Sequence, residues 1–171
     1  MVKIRQEQPS DYDEVYELVK TSFATTLHCD GDEQDYLNDI RKRANFIPAL
    51  SLVAVGPDGA IIGQIILHET DIDTENENHI ELLLGPVSVH PDYFRRGIAR
   101  DMIEEALRKA TDMGYRAVFL CGDPKIYSKM GFVPTYKYGI FHKSDATAGW
   151  SMLRELCENA LEGINGTIDT V

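Results

Sequence analysis

Apolar side chains at Tyr12, Val15, Tyr16, Val19 and Phe23 recur at the spacing of one helical face, which predicts an amphipathic helix. Ser10 stands in the N-cap position before it, with Asp13 three residues on. A second helical stretch, residues 32–43, carries acid in its first turn and Arg41, Lys42 and Arg43 in its last, as the helix dipole favours. The clearest helix follows later. Ile98, Met102, Ile103, Ala106, Leu107, Ala110 and Met113 line one face, and Gly114 suits the left-handed position beyond the last turn.

Between these lie strand patterns. Residues 2–5, 50–55 and 61–68 are β-rich, and the last two flank Gly56-Pro57-Asp58-Gly59-Ala60, strong hairpin chemistry. Residues 70–78 read as an acidic, solvated loop, and residues 79–89 as a strand interrupted by Gly85-Pro86. Proline cannot donate to a ladder, so a bulge or an unpaired edge is expected there. Residues 117–121 form a short strand. Asp123-Pro124 then supplies an N-cap and an N1 proline for a short helix ending at Gly131. Residues 136–142 suggest a strand, and by pattern residues 150–157 fit a strand or a short helix equally. The resulting order, β-α-α-β-β-β-α-β-α-β-β, predicts an α/β (α+β) chain with a mixed sheet and helices packed on it. No repeat or linker divides it, so residues 1–171 are expected to form a single domain.

Composition narrows the function classes. Of 171 residues 43% are hydrophobic and 26% charged, ordinary for a folded chain with a real core. Lys and Arg total 17 against 28 Asp and Glu, for a net charge of −11. That argues against nucleic-acid binding, which needs a basic footprint, and is compatible with cationic partners. Cys29, Cys121 and Cys157 form no CxxC pair, which suggests reduced thiols in a cytoplasmic protein and no metal site. The start MVKIRQEQPSDYDEV turns polar too early for a secretory signal, and no apolar run approaches the ~20 residues of a membrane span, so no membrane partner is expected. Without such a signal, the sequon at Asn165-Gly166-Thr167 is read as chance.

Chemistry concentrates in residues 85–99, GPVSVHPDYFRRGIA. A proline-broken strand leads into a loop with two arginines and a glycine, and that loop opens the clearest helix. Free N–H groups of a first helical turn and the dipole behind them favour an anion. Gly97 lets a ligand approach the backbone, and Arg95, Arg96 and Arg100 add cations. Neither a P-loop nor a dinucleotide-binding GxGxxG is present.

From these residues the chain resembles the GNAT N-acetyltransferase family, and a little-characterised bacterial branch of it. VSVHPDYFRRGIA before a long amphipathic helix is similar to the family's acetyl-CoA motif, [Q/R]-x-x-G-x-[G/A], with Gly97 and Ala99 at its small positions. Phe94 departs from the motif's first position. Tyr127-Ser128-Lys129-Met130-Gly131-Phe132 resembles the family's Y-x-x-x-G-F signature. The resemblance implies a mixed, mostly antiparallel sheet of about seven strands, about four flanking helices, a bulged fourth strand, and a seventh strand at residues 150–156. It implies acetyl-CoA as acyl donor, without a metal. The donor would be held by the N–H groups of Val87, Ser88 and Val89, freed by the broken strand, and by Arg95, Arg96, Gly97, Ile98, Ala99 and Arg100.

Acyl transfer needs a proton taken from the amine, an oxyanion stabilised and a thiolate protonated. The neutral phenol of Tyr127 can protonate a thiolate, and the resemblance places it beside the sulfur. It also makes Glu81, on the strand leading to the bulge, the candidate base, with His68, Glu69 and His79 as alternatives. An acyl-cysteine at Cys121 finds no activating neighbour in sequence. The expected partner is a small-molecule amine or a peptide amine, and the resemblance implies that residues 21–32 help to shape its pocket; a homodimer is compatible with the chain. The rival reading is a non-catalytic acyl-CoA sensor or interaction module on the same fold.

Overall fold

The structure, a computed structural model, describes residues 1–24 and 31–171. Among these the chain forms nine strands and four α-helices in a mixed α/β arrangement. Strand β1 (Lys3–Gln6) leads through a short 3-10 turn (Pro9–Asp11) into α1 (Tyr12–Phe23). Ser10 lies in that turn, which corrects the expected N-cap. The side chains of Gln8 and Asp11 close the helix start instead, and Asp11 Oδ2 accepts the Gln8 N–H at 2.7 Å. Arg5 pairs with the same carboxylate and holds it below the usual carboxylate range. Helix α2 (Glu33–Lys42) follows, then β2 (Ser51–Val55), β3 (Ile61–Asp73) and β4 (Asn78–Val89). The acidic segment after residue 69 is therefore mostly strand. Only residues 74–77 form the connection between β3 and β4, because the exposed acids alternate with buried Ile72.

Helix α3 (Ile98–Asp112) buries Ile98, Met102, Ile103, Ala106, Leu107 and Ala110, while Met113 lies exposed beyond its end. Gly114 takes the left-handed conformation at φ 92°. Strand β5 (Ala117–Cys121), α4 (Pro124–Tyr127), β6 (Val133–Pro134), β7 (Ile140–His142), β8 (Ser151–Glu155) and β9 (Gly166–Ile168) complete the chain. Residues 135–138 form a 3-10 turn rather than strand, and β7 begins only after Gly139 at φ 72°.

Two compact units divide the chain, Met1–His68 with Gly85–Lys109, and Glu69–Leu84 with Ala110–Val171. In the first, β2 pairs antiparallel with β1 and β3, and an apolar cluster joins Val15, Val19, Leu37, Ile40, Val53 and Ile66. Glu7 and Arg41 form a buried ion pair there, and the Arg41 guanidinium lies over the Tyr12 ring, 4.2 Å from its centroid. In the second, β4 runs parallel to β5, with Leu82 opposite Val118, and β8 pairs antiparallel with β5 and β6. Strand β7 runs parallel to β9, and Ile72, Phe119, Ile140, Leu153 and Ile168 lie in the core of this unit.

Candidate functional site

The expected break in β4 is visible in its register. The His90 N–H donates to the Ile62 carbonyl at 2.8 Å, setting residue 90 opposite 62. Simple pairing would then put Gly85 on the face away from Ile66. Instead, a Cβ built on Gly85 would meet Ile66 Cγ2 at 2.9 Å and Ile40 Cδ1 at 3.4 Å. Strand β4 thus holds one residue more than β3 requires between these points, which is a β-bulge. Pro86, Val87, Ser88 and Val89 occupy it. Ser88 is buried at 2% exposure, and the Val89 carbonyl accepts the Ser22 hydroxyl of α1 at 3.0 Å.

After the bulge the chain turns through Pro91–Tyr93, where the Asp92 N–H donates to His90 Nδ1 at 3.3 Å. Arg96 folds back, donating to the Asp92 carbonyl at 3.0 Å with its guanidinium 4.9 Å over the Tyr93 ring. Arg95 adopts φ 61° and Gly97 φ 82°. A left-handed arginine is strained by about 1–2 kcal/mol, and such strain gathers at ligand-clamping loops. The first α-helical bond, Asp101 N–H to the Gly97 carbonyl at 3.0 Å, makes Gly97 the N-cap. The N–H groups of Ile98, Ala99 and Arg100 therefore precede the helix's own acceptors. Arg95, Arg96 and Arg100 are all exposed around this helix start. The loop offers an anion three main-chain donors, a helix dipole and three guanidinium groups.

In the second unit, Asp123 caps α4 by accepting the Lys125 N–H at 2.8 Å. The helix and its 3-10 extension end at Gly131, φ 80°, which turns Phe132 into the core at 1% exposure. The Tyr127 ring meets the Phe132 ring edge-on, 5.9 Å between centroids, and lies against Gly122. Partial burial raises the Tyr127 pKa, and the nearby Cys121 raises it further. The phenol is therefore held neutral, as a proton donor must be. Burial also pushes the Cys121 thiol up, which opposes a nucleophilic thiolate at this position.

Glu81 stands elsewhere. It is 5% exposed, and its Oε2 accepts the N–H groups of Arg116 and Ala117 at 2.9 and 3.0 Å. These donors open β5, whereas Tyr127 lies against Gly122 beyond its other end, roughly 16 Å away at the rise of a strand. The structure does not bring Glu81 and Tyr127 together. Of the alternatives, His68 is buried between Tyr36 Oη at 3.1 Å and Arg43 at 3.4 Å, and Glu69 accepts the Tyr115 hydroxyl at 2.8 Å. His79 lies 3.5 Å from Glu77. The expectation for residues 21–32 falls partly on residues 25–30, outside the described residues, as does Cys29. Gly122 escaped sequence reasoning, because a lone glycine between Cys121 and Asp123 shows no sign of the ring beside it. Among the described residues no cluster of three or more His, Cys, Asp or Glu could hold a metal ion, and no helix is long and apolar enough to cross a membrane.

A bulged strand feeding a glycine-capped helix, on a mostly antiparallel sheet, defines an acyltransferase-type mixed α/β fold. Residues 3–135 match the family model described as an acetyltransferase (GNAT) domain, and the chain belongs to that family. It is 28% identical over 166 residues to the uncharacterized N-acetyltransferase YhbS of Escherichia coli K12, covering 97% of this chain and 94% of that protein. The crystal structure of E. coli YhbS in complex with CoA superposes with a TM-score of 0.84 at 26% identity, over 99% of this chain and 89% of the other. A GNAT acetyltransferase from Brucella melitensis in complex with acetyl-CoA shares the fold, with a TM-score of 0.77 at 24% identity over 99% and 95% of the two chains.

Proposed function

We propose that this chain is an acetyl-CoA-dependent N-acyltransferase, acting as one domain and transferring acetyl to an amine by direct attack in a ternary complex. The observation that carries the proposal is the helix start at Gly97, where main-chain N–H groups and three arginines converge in a chain of net charge −11. A pyrophosphate is the polyanion that fits such a start. Relatives with the same fold have been crystallised with CoA and acetyl-CoA, which supports the choice.

Acetyl-CoA supplies an activated thioester. The chain's residues do the rest. Ile98, Ala99 and Arg100 hold the phosphates through their N–H groups, with Gly97 allowing close approach and Arg95, Arg96 and Arg100 neutralising charge. The bulge at Val87, Ser88 and Val89 releases main-chain donors from the ladder, for the pantetheine amides and the developing oxyanion. Tyr127, kept neutral by burial, delivers its proton to the departing thiolate. We assign Glu81 a clamping role, because its Oε2 already receives two main-chain N–H groups. The amine's proton passes to water. The net charge favours a cationic small amine or peptide amine as the acceptor in solution, by long-range steering.

The test is thermal unfolding with and without acetyl-CoA. At a hundred times its dissociation constant a ligand adds about 2.7 kcal/mol, which raises the Tm of a chain this size by roughly 5–10 °C. An unchanged Tm contradicts the proposal.

A further inference from the structure

Gln64, on β3, is fully buried, and among the described residues neither its Nε2 nor its Oε1 has a hydrogen-bond partner. A carboxamide carries two donors and an acceptor, and enclosing it unpaired forfeits its hydrogen bonds to water with nothing in return. Its neighbours do not call for polarity. Val53 is its partner on β2 and Ile66 is the next residue on the same face of β3, both fully buried. Methionine or leucine would fill the same space without the cost.

A second orphan lies on the adjoining strand. Ser88 Oγ is enclosed and likewise makes no hydrogen bond to any described residue. The register explains why the two belong together. With His90 opposite Ile62 and Gly85 beside Ile66, the part of β4 that passes Gln64 is Val87 and Ser88, within the bulge. One carboxamide and one hydroxyl, both unpaired, therefore occupy adjoining segments where the ladder is already broken.

Their chemistry narrows what they receive. Two neutral dipoles do not compensate an ion, so an ammonium or a carboxylate placed there would be buried uncompensated. A neutral group with N–H donors fits. Because both side chains are closed to solvent, an amine reaches them only after leaving water, where an ammonium gives its proton to bulk solvent. We propose that the side chains of Gln64 and Ser88 form the acceptor-side binding site, which takes the reacting primary amine as its neutral free base. One N–H donates to Gln64 Oε1 and the other to Ser88 Oγ, which leaves the nitrogen lone pair free to attack. As the C–N bond forms and the C–S bond breaks, the nitrogen gives up one of these protons to water and the thiolate takes the proton of Tyr127. This assignment rests on the acyl-transfer reading above, and it gives the side chain of Ser88 a role separate from that of its main chain.

The test compares wild type with Gln64→Met and Ser88→Ala, using acetyl-CoA with benzylamine as the probe amine and following released thiol. Gln64→Met is expected to keep or raise Tm and to leave the KM for acetyl-CoA unchanged. Its kcat/KM for benzylamine should fall at least tenfold, and that of Ser88→Ala should fall in the same direction. An unchanged kcat/KM for benzylamine in both variants, or loss of the acetyl-CoA-induced Tm shift in Gln64→Met, overturns the proposal. A second measurement covers slow turnover. The side-chain 15N amide pair of Gln64, identified by its loss in Gln64→Met, should shift when benzylamine is added to CoA-saturated wild type. A pair that stays in place overturns the assignment. Wild type that shows no Tm shift with acetyl-CoA counts instead against the acyl-transfer reading itself.

Discussion

The ring of Tyr127 fills the space that a side chain at Gly122 would need: a Cβ there would lie within 2.6 Å of the ring's Cδ2. The edge-on Phe132 ring limits the room for Tyr127 to retreat. Gly122→Ala is therefore expected to push the phenol out of position and to lower stability by about 1–3 kcal/mol, as overpacking does. Thiol release with an amine acceptor should fall at least tenfold, while the acetyl-CoA-induced Tm shift persists. Measuring both separates a displaced phenol from a damaged donor site.

Arg96 tests the anion loop. Its guanidinium is exposed and braced by the Asp92 carbonyl and the Tyr93 ring, so Arg96→Glu should fold normally. Reversing the charge beside the Gly97 helix start should abolish the Tm rise produced by acetyl-CoA. An equal rise in the variant would place the phosphates elsewhere.

Glu81 can be probed by two substitutions with different outcomes. Glu81→Gln keeps an oxygen for the Arg116 and Ala117 N–H groups and should retain stability and most activity. Glu81→Ala leaves two buried donors unpaired, at about 1–3 kcal/mol each, and should lower Tm clearly. A hundredfold loss of kcat in Glu81→Gln with Tm unchanged would identify a base instead of a clamp.

Tyr115 gives the alkaline limb of stability. Burial and its hydrogen bond to Glu69 raise its pKa to about 12, against about 10 in an unfolded chain. The folded state therefore binds the phenolic proton more tightly. The associated stability is complete below pH 10 and declines as pH rises from about 10 to about 12. Tyr16, Tyr127 and Tyr138 are raised too, so the comparison is with Tyr115→Phe, whose stability should fall less steeply across that window. Chemical denaturation at successive pH values measures the difference.

Much of the fold was legible because its periodicities are strong. Helix α3 follows a continuous apolar stripe from Ile98 to Ala110, and the hairpin between β2 and β3 follows Gly56-Pro57-Asp58-Gly59. Less was legible where tertiary contacts overrule local pattern. The extension of β3 to Asp73 depends on Thr167 of β9, an antiparallel partner far along the chain. Strand β6 has two residues and β9 three, too few for any period to show. Residues 150–157 became strand because β5 pairs along Ser151–Glu155, a preference no single segment expresses. At the candidate site, the arginines, Gly97 and the Tyr127 to Phe132 spacing stood out as motif. The two bonds on Glu81, the glycine under Tyr127 and the unpaired Gln64 arise only from packing.

The most direct test of the account is release of thiol from acetyl-CoA across a panel of amines and basic peptides, wild type beside Tyr127→Phe. At least one amine should accelerate release by wild type, and Tyr127→Phe should slow it about a hundredfold, within the usual worth of a general acid. If acetyl-CoA raises the Tm yet no amine in the panel accelerates release, the chain is an acyl-CoA-binding module and the catalytic claim is contradicted.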